Sequence, residues 1–508
     1  MTGPRRVSLV ALGLLLLTAC SAGGSPPSTA TSTSPPTTSP ATTTTLALPT
    51  TTTPTSTTTP TTTTLPIDPA LAGLGDPYFP TLGNSGYDVV AYIVALTVDP
   101  DENTIEGLAL ISGWATQDLE TLNFDLLGLT VDSIEVDGVA AAFTRDGAEL
   151  VVRPRWHIPV GTAFHVEVAY HGTPENLYTI GFPLGWVDAG DITYVVAEPD
   201  AARTWFPAND HPADKAHFTF HITVPAGLTV AANGTLVEVV PGDGVTRFTW
   251  EMPEQTATYL ATVVIGNLIR LERPGPGGVL LRDYLPADMG NELPAPLVRV
   301  PEMLELYAGL FGPYPFTEYG HAVVPGMPGA LENQTLTAFG REILEDQGAF
   351  GRPTVEEIVA HELAHQWFGD SVSPATWQDI WLNEGFATFA QWLWVEHDLG
   401  REAYDATIAG NYEFLAGAPH PPPGDPGPDG SQMFHYSVYL RGGLTLHALR
   451  VEVGDDTLFA ILRSWAERHA YGNGSTPEFI ALAEEISGAD LTALFDAWLY
   501  QAQLPALP

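Results

Sequence analysis

The sequence predicts an α+β protein: an N-terminal antiparallel β-sheet domain followed by a mainly helical domain. Three observations carry this reading. Between Tyr87 and Leu271, short runs that alternate apolar and polar residues recur, broken by Gly, Asp and Pro. After Arg273-Pro274-Gly275-Pro276-Gly277 the hydrophobic period lengthens to that of helices. Hydrophobic residues form 44% of the 508, enough for a core in each part.

At the N-terminus, Arg5 and Arg6 precede an apolar run from Val7 to Leu17, too short to anchor stably across a bilayer. It ends in Leu17-Thr18-Ala19-Cys20, which resembles a bacterial lipobox. Residues 1–19 therefore read as a lipoprotein signal peptide, and Cys20, the sole cysteine, as the point of lipid attachment to a membrane. The alternative is an ordinary signal peptide with an incidental cysteine. If Cys20 carries lipid, no disulfide can form and the fold stands on its core alone. Residues 20–66 are almost entirely Ser, Thr, Pro, Ala and Gly. Such a segment buries too little apolar surface to fold, so it is expected to be a disordered tether, with prolines that favour extension. The expected location is extracytoplasmic: lipid-anchored to the bacterial cell membrane, or secreted.

The β-sheet domain is expected over 70–272. Its clearest strands are Ala91 to Val98, Leu108 to Ile111, Thr130 to Val136, Phe164 to Tyr170 and Ala216 to Val224. Asp99-Pro100-Asp101 and Asp137-Gly138 mark turns between them. The helical domain is expected over 273–508. Its helical patterns are Pro296 to Phe311, Thr354 to Phe368, Gly385 to Asp398, Leu440 to Val453, Asp456 to Ala470 and Thr476 to Ile486.

Charge excludes one class of partner. The chain has 60 acidic and 19 basic residues, a net −41, and Lys215 is its only lysine. So acidic a chain lacks the cations that nucleic-acid phosphates demand. A solvated acidic surface is the simplest use of the excess. Oligomeric state is not legible here.

The chemistry concentrates in Thr354 to Gly369, TVEEIVAHELAHQWFG. Thr354 and Glu357 form a capping box and Gly369 a stop. The helix between them sets His361 and His365 on one face, one turn apart. Two imidazoles so spaced can share a metal, and zinc suits nitrogen and carboxylate ligands. Glu362, beside the first histidine, is placed to take a proton from water at that metal. Eighteen residues after His365, Glu384 lies in Trp381-Leu382-Asn383-Glu384-Gly385-Phe386-Ala387. That distance lets the chain turn and bring a second helix back, with Glu384 as third ligand.

At these residues the sequence resembles the aminopeptidase N family of zinc metallopeptidases, gluzincins with an HExxH motif and a glutamate after eighteen residues. Gly329-Ala330-Leu331-Glu332-Asn333 is similar to the family's GxMEN-type amine motif, with leucine for the usual methionine. Tyr439-Leu440-Arg441-Gly442 resembles its tyrosine segment, with arginine for the usual lysine. Ala202 to Pro212 and Ser487 to Pro505 also resemble family segments, so the likeness spans about 80–508 in order.

The resemblance implies a thermolysin-like catalytic domain, one zinc ion (Zn2+) per chain, and removal of N-terminal residues from peptides with a free N-terminal amine. It implies that Glu332, with Glu198, holds that amine, and that Gly329, Ala330 and Asn333 line the substrate. It makes Glu362 the general base and Tyr439 the oxyanion donor, with Tyr436 the alternative three residues earlier. Only 69 residues follow Tyr439, too few for the large helical domain that roofs the site in longer members. A short, more open form is expected, with an endopeptidase as the nearest rival. The Pro-rich stretch His420 to Gly430 is a candidate rim loop.

Overall fold

The computed structural model describes residues 73–179, 181–345 and 354–508. The signal peptide, Cys20 and the tether expected over 20–66 lie outside the described residues. Among the described residues, no helix is long and apolar enough to cross a membrane.

The five expected strands all form. Tyr87–Asp99 shows why: Tyr92, Val94, Leu96 and Val98 are buried, while Ile93 between them faces solvent. An eight-stranded sheet runs in spatial order Thr235–Pro241, Val245–Thr256, Ala216–Pro225, Tyr87–Asp99, Thr104–Ala115, Ala163–Gly172, Thr130–Val136 and Val139–Ala140. It is antiparallel except at one place: Tyr87–Asp99 and Ala216–Pro225 run parallel, with Ala91 opposite His217. No hairpin joins these two strands. The long intervening chain leaves their relative direction free, which local alternation cannot reveal. A five-stranded sheet that includes Ile192–Val196 shares one core with it, in which Phe218 and Phe220 stack at 5.5 Å and Trp205 packs on Phe206 at 4.7 Å.

The second half is less purely helical than expected. Leu268–Pro274, Leu280–Pro286, His321–Val324, Thr337–Gly340 and the edge strand Ala330–Leu331 form a further sheet. His321–Val324 and Thr337–Gly340 are four residues each and buried throughout, so they carry no alternation to read. Arg273 to Gly277, expected as the junction between the domains, joins two paired strands of this sheet, Leu268–Pro274 and Leu280–Pro286. The sheet of the second half therefore starts ahead of that segment.

The helices that matter here are α1 (Val300–Phe311), α2 (Val355–His365), α3 (Trp381–Leu399), α4 (Arg401–Ala416), α5 (Tyr436–Val453), α6 (Asp455–Arg468) and α7 (Thr476–Ser487). α3 and α5 each begin four residues earlier than expected, which puts Glu384 and Tyr439 in first turns. α4 was not expected: its buried stripe is only Tyr404, Ile408 and Leu415 in an otherwise polar sequence. α2 stops at His365 rather than Gly369. Gln366 N and Trp367 N bond three residues back, to Leu363 O and Ala364 O, and tighten the last turn.

Buried polar contacts lock the halves together. The Lys215 ammonium donates to Asp370 O at 2.7 Å, Ser371 O at 3.0 Å and Gly472 O at 3.3 Å. Asp76 accepts from Trp377 N at 2.7 Å and from His211 Nε2 at 3.1 Å.

Candidate active site

The site is built first on α2. Thr354 Oγ1 accepts from Glu357 N at 3.3 Å, the N-cap half of the expected capping box, and donates to Glu357 Oε1 at 3.2 Å. One turn apart, the His361 and His365 rings lie 4.8 Å from each other at 78°. α3 returns alongside and brings Glu384 Oε2 to 3.2 Å from His361 Nε2 and 3.6 Å from His365 Nε2. His365 Nδ1 donates to Phe368 O at 3.1 Å, which leaves the Nε2 lone pair facing Glu384. One atom each of His361, His365 and Glu384 lies within 4.8 Å of the others, and all three residues are buried. Two imidazole nitrogens and a carboxylate oxygen so gathered are a donor set that zinc takes in catalytic sites.

Three more carboxylates converge. Glu362 follows His361 on α2, and Glu332 follows the edge strand Ala330–Leu331. Glu198 arrives from the other half, just past the strand Ile192–Val196. Glu198, Glu332 and Glu384 lie within 4.8 Å of one another, as do Glu332, Glu362 and His365. All four glutamates are less than a tenth exposed.

Burial pushes Glu384 up to about 8, and burial plus the Glu384 charge pushes Glu332 up to about 8. Burial, then the charge on Glu332, holds Glu198 and Glu362 well above the ordinary carboxylate range. Burial also lowers His361 to about 4, so its imidazole is neutral, as a metal ligand must be. Oε1 of Glu198, Oε1 of Glu332 and Oε2 of Glu362 are buried without a hydrogen-bond partner. The pocket is short of positive charge, and a divalent metal together with a substrate ammonium would supply it.

Tyr439, and not Tyr436, joins this group. Its ring lies 6.1 Å from that of His361 at 20°, and its phenol lies within the field of Glu384, Glu198, Glu332 and Glu362. Tyr436 instead packs on His435 at 4.0 Å and Phe414 at 5.2 Å. Two glycines permit the approach: a Cβ on Gly385 of α3 would sit 2.9 Å from Gly442 Cα of α5, and the reverse holds. Arg441, in place of the usual lysine, donates to Ala497 O at 2.9 Å and Gln501 O at 2.6 Å and ties down the C-terminal segment.

The other expected substrate residues divide. Ala330 stands on an edge strand, paired through Phe339 on one side only. Gly329 O accepts from Gly340 N at 2.9 Å, which fixes the start of that strand. Asn333 is fully buried with both amide atoms unpartnered. The Pro-rich loop at His420 to Gly430 folds back on the end of the chain, Gly424 N donating to Leu499 O at 2.9 Å. Sequence reasoning missed Gln366, Tyr259 and Asn383, all buried around the site. Tyr259 donates to Gly369 O at 3.3 Å and accepts from Asn383 Nδ2 at 3.2 Å. The one signal for Gln366 and Asn383 was a polar amide beside a ligand position on a buried helix face.

Comparison with known proteins matches both halves of the chain. Residues 297–498 match the peptidase family M1 domain, and residues 87–260 match the peptidase M1 N-terminal domain. Aminopeptidase M1-A of Oryza sativa subsp. japonica is 27% identical over 376 residues, covering 70% of this chain and 42% of that protein. The leucyl aminopeptidase of Saccharolobus solfataricus is 25% identical over 408 residues, covering 76% of this chain and 50% of that one. The chain thus spans half or less of the length of these curated relatives. The crystal structure of an M1 zinc metallopeptidase from Deinococcus radiodurans superposes with a TM-score of 0.78 at 32% identity, covering 86% of this chain and 98% of that one. A mutant of that protein bound to a Tyr-Ser-Ala substrate superposes with a TM-score of 0.77 at 32% identity, covering 86% and 99%.

Proposed function

The chain belongs to peptidase family M1, and from that premise we propose that it is a zinc-dependent aminopeptidase that hydrolyses the first peptide bond of peptides with a free N-terminal amine. The observation that carries the proposal is the pair of buried, unpartnered carboxylates, Glu198 and Glu332, within 4.8 Å of Glu384. A carboxylate pair there is complementary to an ammonium group, and it stands one residue's reach from the His361, His365 and Glu384 set. An amine held so close to the scissile position leaves room for a single residue before the cut. The relatives named as aminopeptidases support the same activity.

His361, His365 and Glu384 would hold the zinc, which when bound polarises the scissile carbonyl and makes water a better nucleophile at neutral pH. The chain's own residues do the rest. Glu332 and Glu198 anchor the ammonium and orient the first peptide bond. Glu362, with Oε2 unpartnered toward the site, accepts the proton of the attacking water and returns it to the leaving amine. Tyr439 donates a hydrogen bond from its hydroxyl to the oxyanion and stabilises the tetrahedral intermediate. Burial first, then the nearby carboxylates, keeps the Tyr439 phenol well above its ordinary pKa, so it stays a hydrogen-bond donor throughout. The outer edge of Ala330–Leu331 offers backbone groups to an extended peptide. The apolar run ending at Cys20 and the Ser/Thr/Pro-rich stretch after it support action outside the cytoplasm, on a lipid tether.

The test is one peptide offered with a free amine and again N-acetylated, each with and without a chelator. Chelator-sensitive release of the first residue from the free form alone is expected. Equal cleavage of both forms at internal bonds would replace this reading with an endopeptidase.

A further inference from the structure

Gln366 follows the second histidine directly and caps α2. Its side chain does not point along the helix but across to the turn that carries Glu332. Nε2 donates to Glu332 O at 3.0 Å, and Oε1 accepts from Thr335 N at 2.9 Å. A backbone carbonyl can only accept and a backbone N–H can only donate, so the orientation of the amide is set. One side chain thus grips both ends of the 332–335 turn, as a neighbouring strand would.

The turn needs gripping. Thr335 is β-branched yet has φ +66°, a conformation that side chains of its kind rarely adopt. Residues 332–336 are all 2% exposed or less, so no solvent supports their backbone. From the other half of the molecule, Asn233 Nδ2 donates to Gln334 O at 2.7 Å, and Gly234 N donates to Thr335 Oγ1 at 2.8 Å. These hold the turn's far side. Among the described residues, Gln366 alone of the side chains bonded to the turn's backbone comes from the end of the helix that carries His361 and His365. The Glu332 carboxylate on this turn lies within 4.8 Å of Glu384, the carboxylate that faces Nε2 of both His361 and His365.

We infer that Gln366 is the positioning residue that sets the separation between the amine anchor Glu332 and the metal-binding face of α2, and hence the one-residue register of cleavage. This rests on the aminopeptidase reading above and deepens it. Gln366 touches neither substrate nor metal; it acts through Glu332. A looser Glu332 would bind the ammonium less well and distinguish a free from a blocked N-terminus less sharply, while the metal set, built from α2 and α3, stays intact.

The test measures kcat and KM for a peptide with a free amine and for its N-acetylated form, together with zinc content. It uses the full chain, Gln366→Met, Gln366→Asn and Glu332→Ala, and the double variants. Gln366→Asn keeps the polar amide but, one methylene shorter, cannot bridge Glu332 O and Thr335 N, so it loosens the contact to Glu332 O should Gln366→Met fail to fold. Losing that contact is expected to raise KM for the free-amine peptide about tenfold and to lower the free-to-acetylated preference by a similar factor, with zinc still bound in a one-to-one ratio. In the Glu332→Ala background the same substitution is expected to change the preference less than about twofold, because its route of action is already gone. A zinc-loaded variant with the preference and KM of the wild type would overturn the inference. So would an equal further loss in the Glu332→Ala background. If the unmodified protein cleaves both forms alike and Glu332→Ala changes nothing, the aminopeptidase reading itself fails and the role of Gln366 falls with it.

Discussion

Tyr439→Phe removes one oxygen and leaves the ring in place. In the structure the ring lies nearly parallel to that of His361 at 6.1 Å, and the phenol lies within the field of Glu384 and its neighbouring carboxylates. The ring contact survives the substitution, so folding and metal content are expected to stay near those of the parent. What is lost is a donor that matters only once negative charge has built up on the carbonyl oxygen. Removing a single oxyanion donor costs about 10²–10³ in kcat, roughly 2.7–4 kcal/mol. Because the substrate's ground state makes little use of that hydroxyl, KM should change less than about threefold. The assay is steady-state hydrolysis of an aminoacyl chromogenic substrate, with zinc measured in the same preparation. Tyr436→Phe is the control, since its ring packs on His435 and Phe414, away from the carboxylates. A Tyr439→Phe enzyme that keeps its kcat and loses only KM would refute the oxyanion role. Equal losses in both variants would show that the helix start matters and neither hydroxyl does.

Glu362→Gln should keep zinc in a one-to-one ratio while turnover falls by about 10³-fold or more, checked by metal analysis beside single-turnover kinetics. Chelation should abolish activity and also lower the melting temperature, because four buried glutamates then face one another without a cation; added zinc should reverse both. Lys215→Met leaves the carbonyls of Asp370, Ser371 and Gly472 without their donor and should cost about 2–4 kcal/mol in denaturant unfolding. Glu149 is held up to about 7 by burial, so the folded state keeps its proton where the unfolded state has released it. Its contribution to stability is therefore full below about pH 4.5 and is lost as pH rises through 7. Glu149→Gln should flatten the fall of melting temperature between pH 5 and pH 8, and an unchanged slope would assign that fall to other groups.

The parts of the site legible in the sequence were those set by short-range geometry. His361, Glu362 and His365 follow from the helical repeat, and Glu384 from the length of chain needed to turn and return. Glu332 and Glu198 came only through family likeness, because nothing local says that a residue after Ile192–Val196 meets one after Ala330–Leu331. The strands of the first half showed themselves because one face is buried and the other is wet. His321–Val324 and Thr337–Gly340 of the second half are buried on both faces and too short to alternate. The parallel pairing of Tyr87–Asp99 with Ala216–Pro225 is a long-range decision of the chain that leaves no mark on either strand. Gln366 was hidden for the opposite reason: next to so strong a motif, a lone amide carries no pattern of its own.

The Lys215 clamp has a practical consequence. The chain's only ε-amine is 5% exposed and bound to three carbonyls across the seam between the halves. Among the described residues, then, the folded protein shows amine-reactive reagents no lysine on its surface. Acylation of Lys215, read by mass spectrometry, would report the opening of that seam and nothing else. An enzyme whose pocket selects free amines would in this way carry an internal chemical gauge of whether its two halves are still joined.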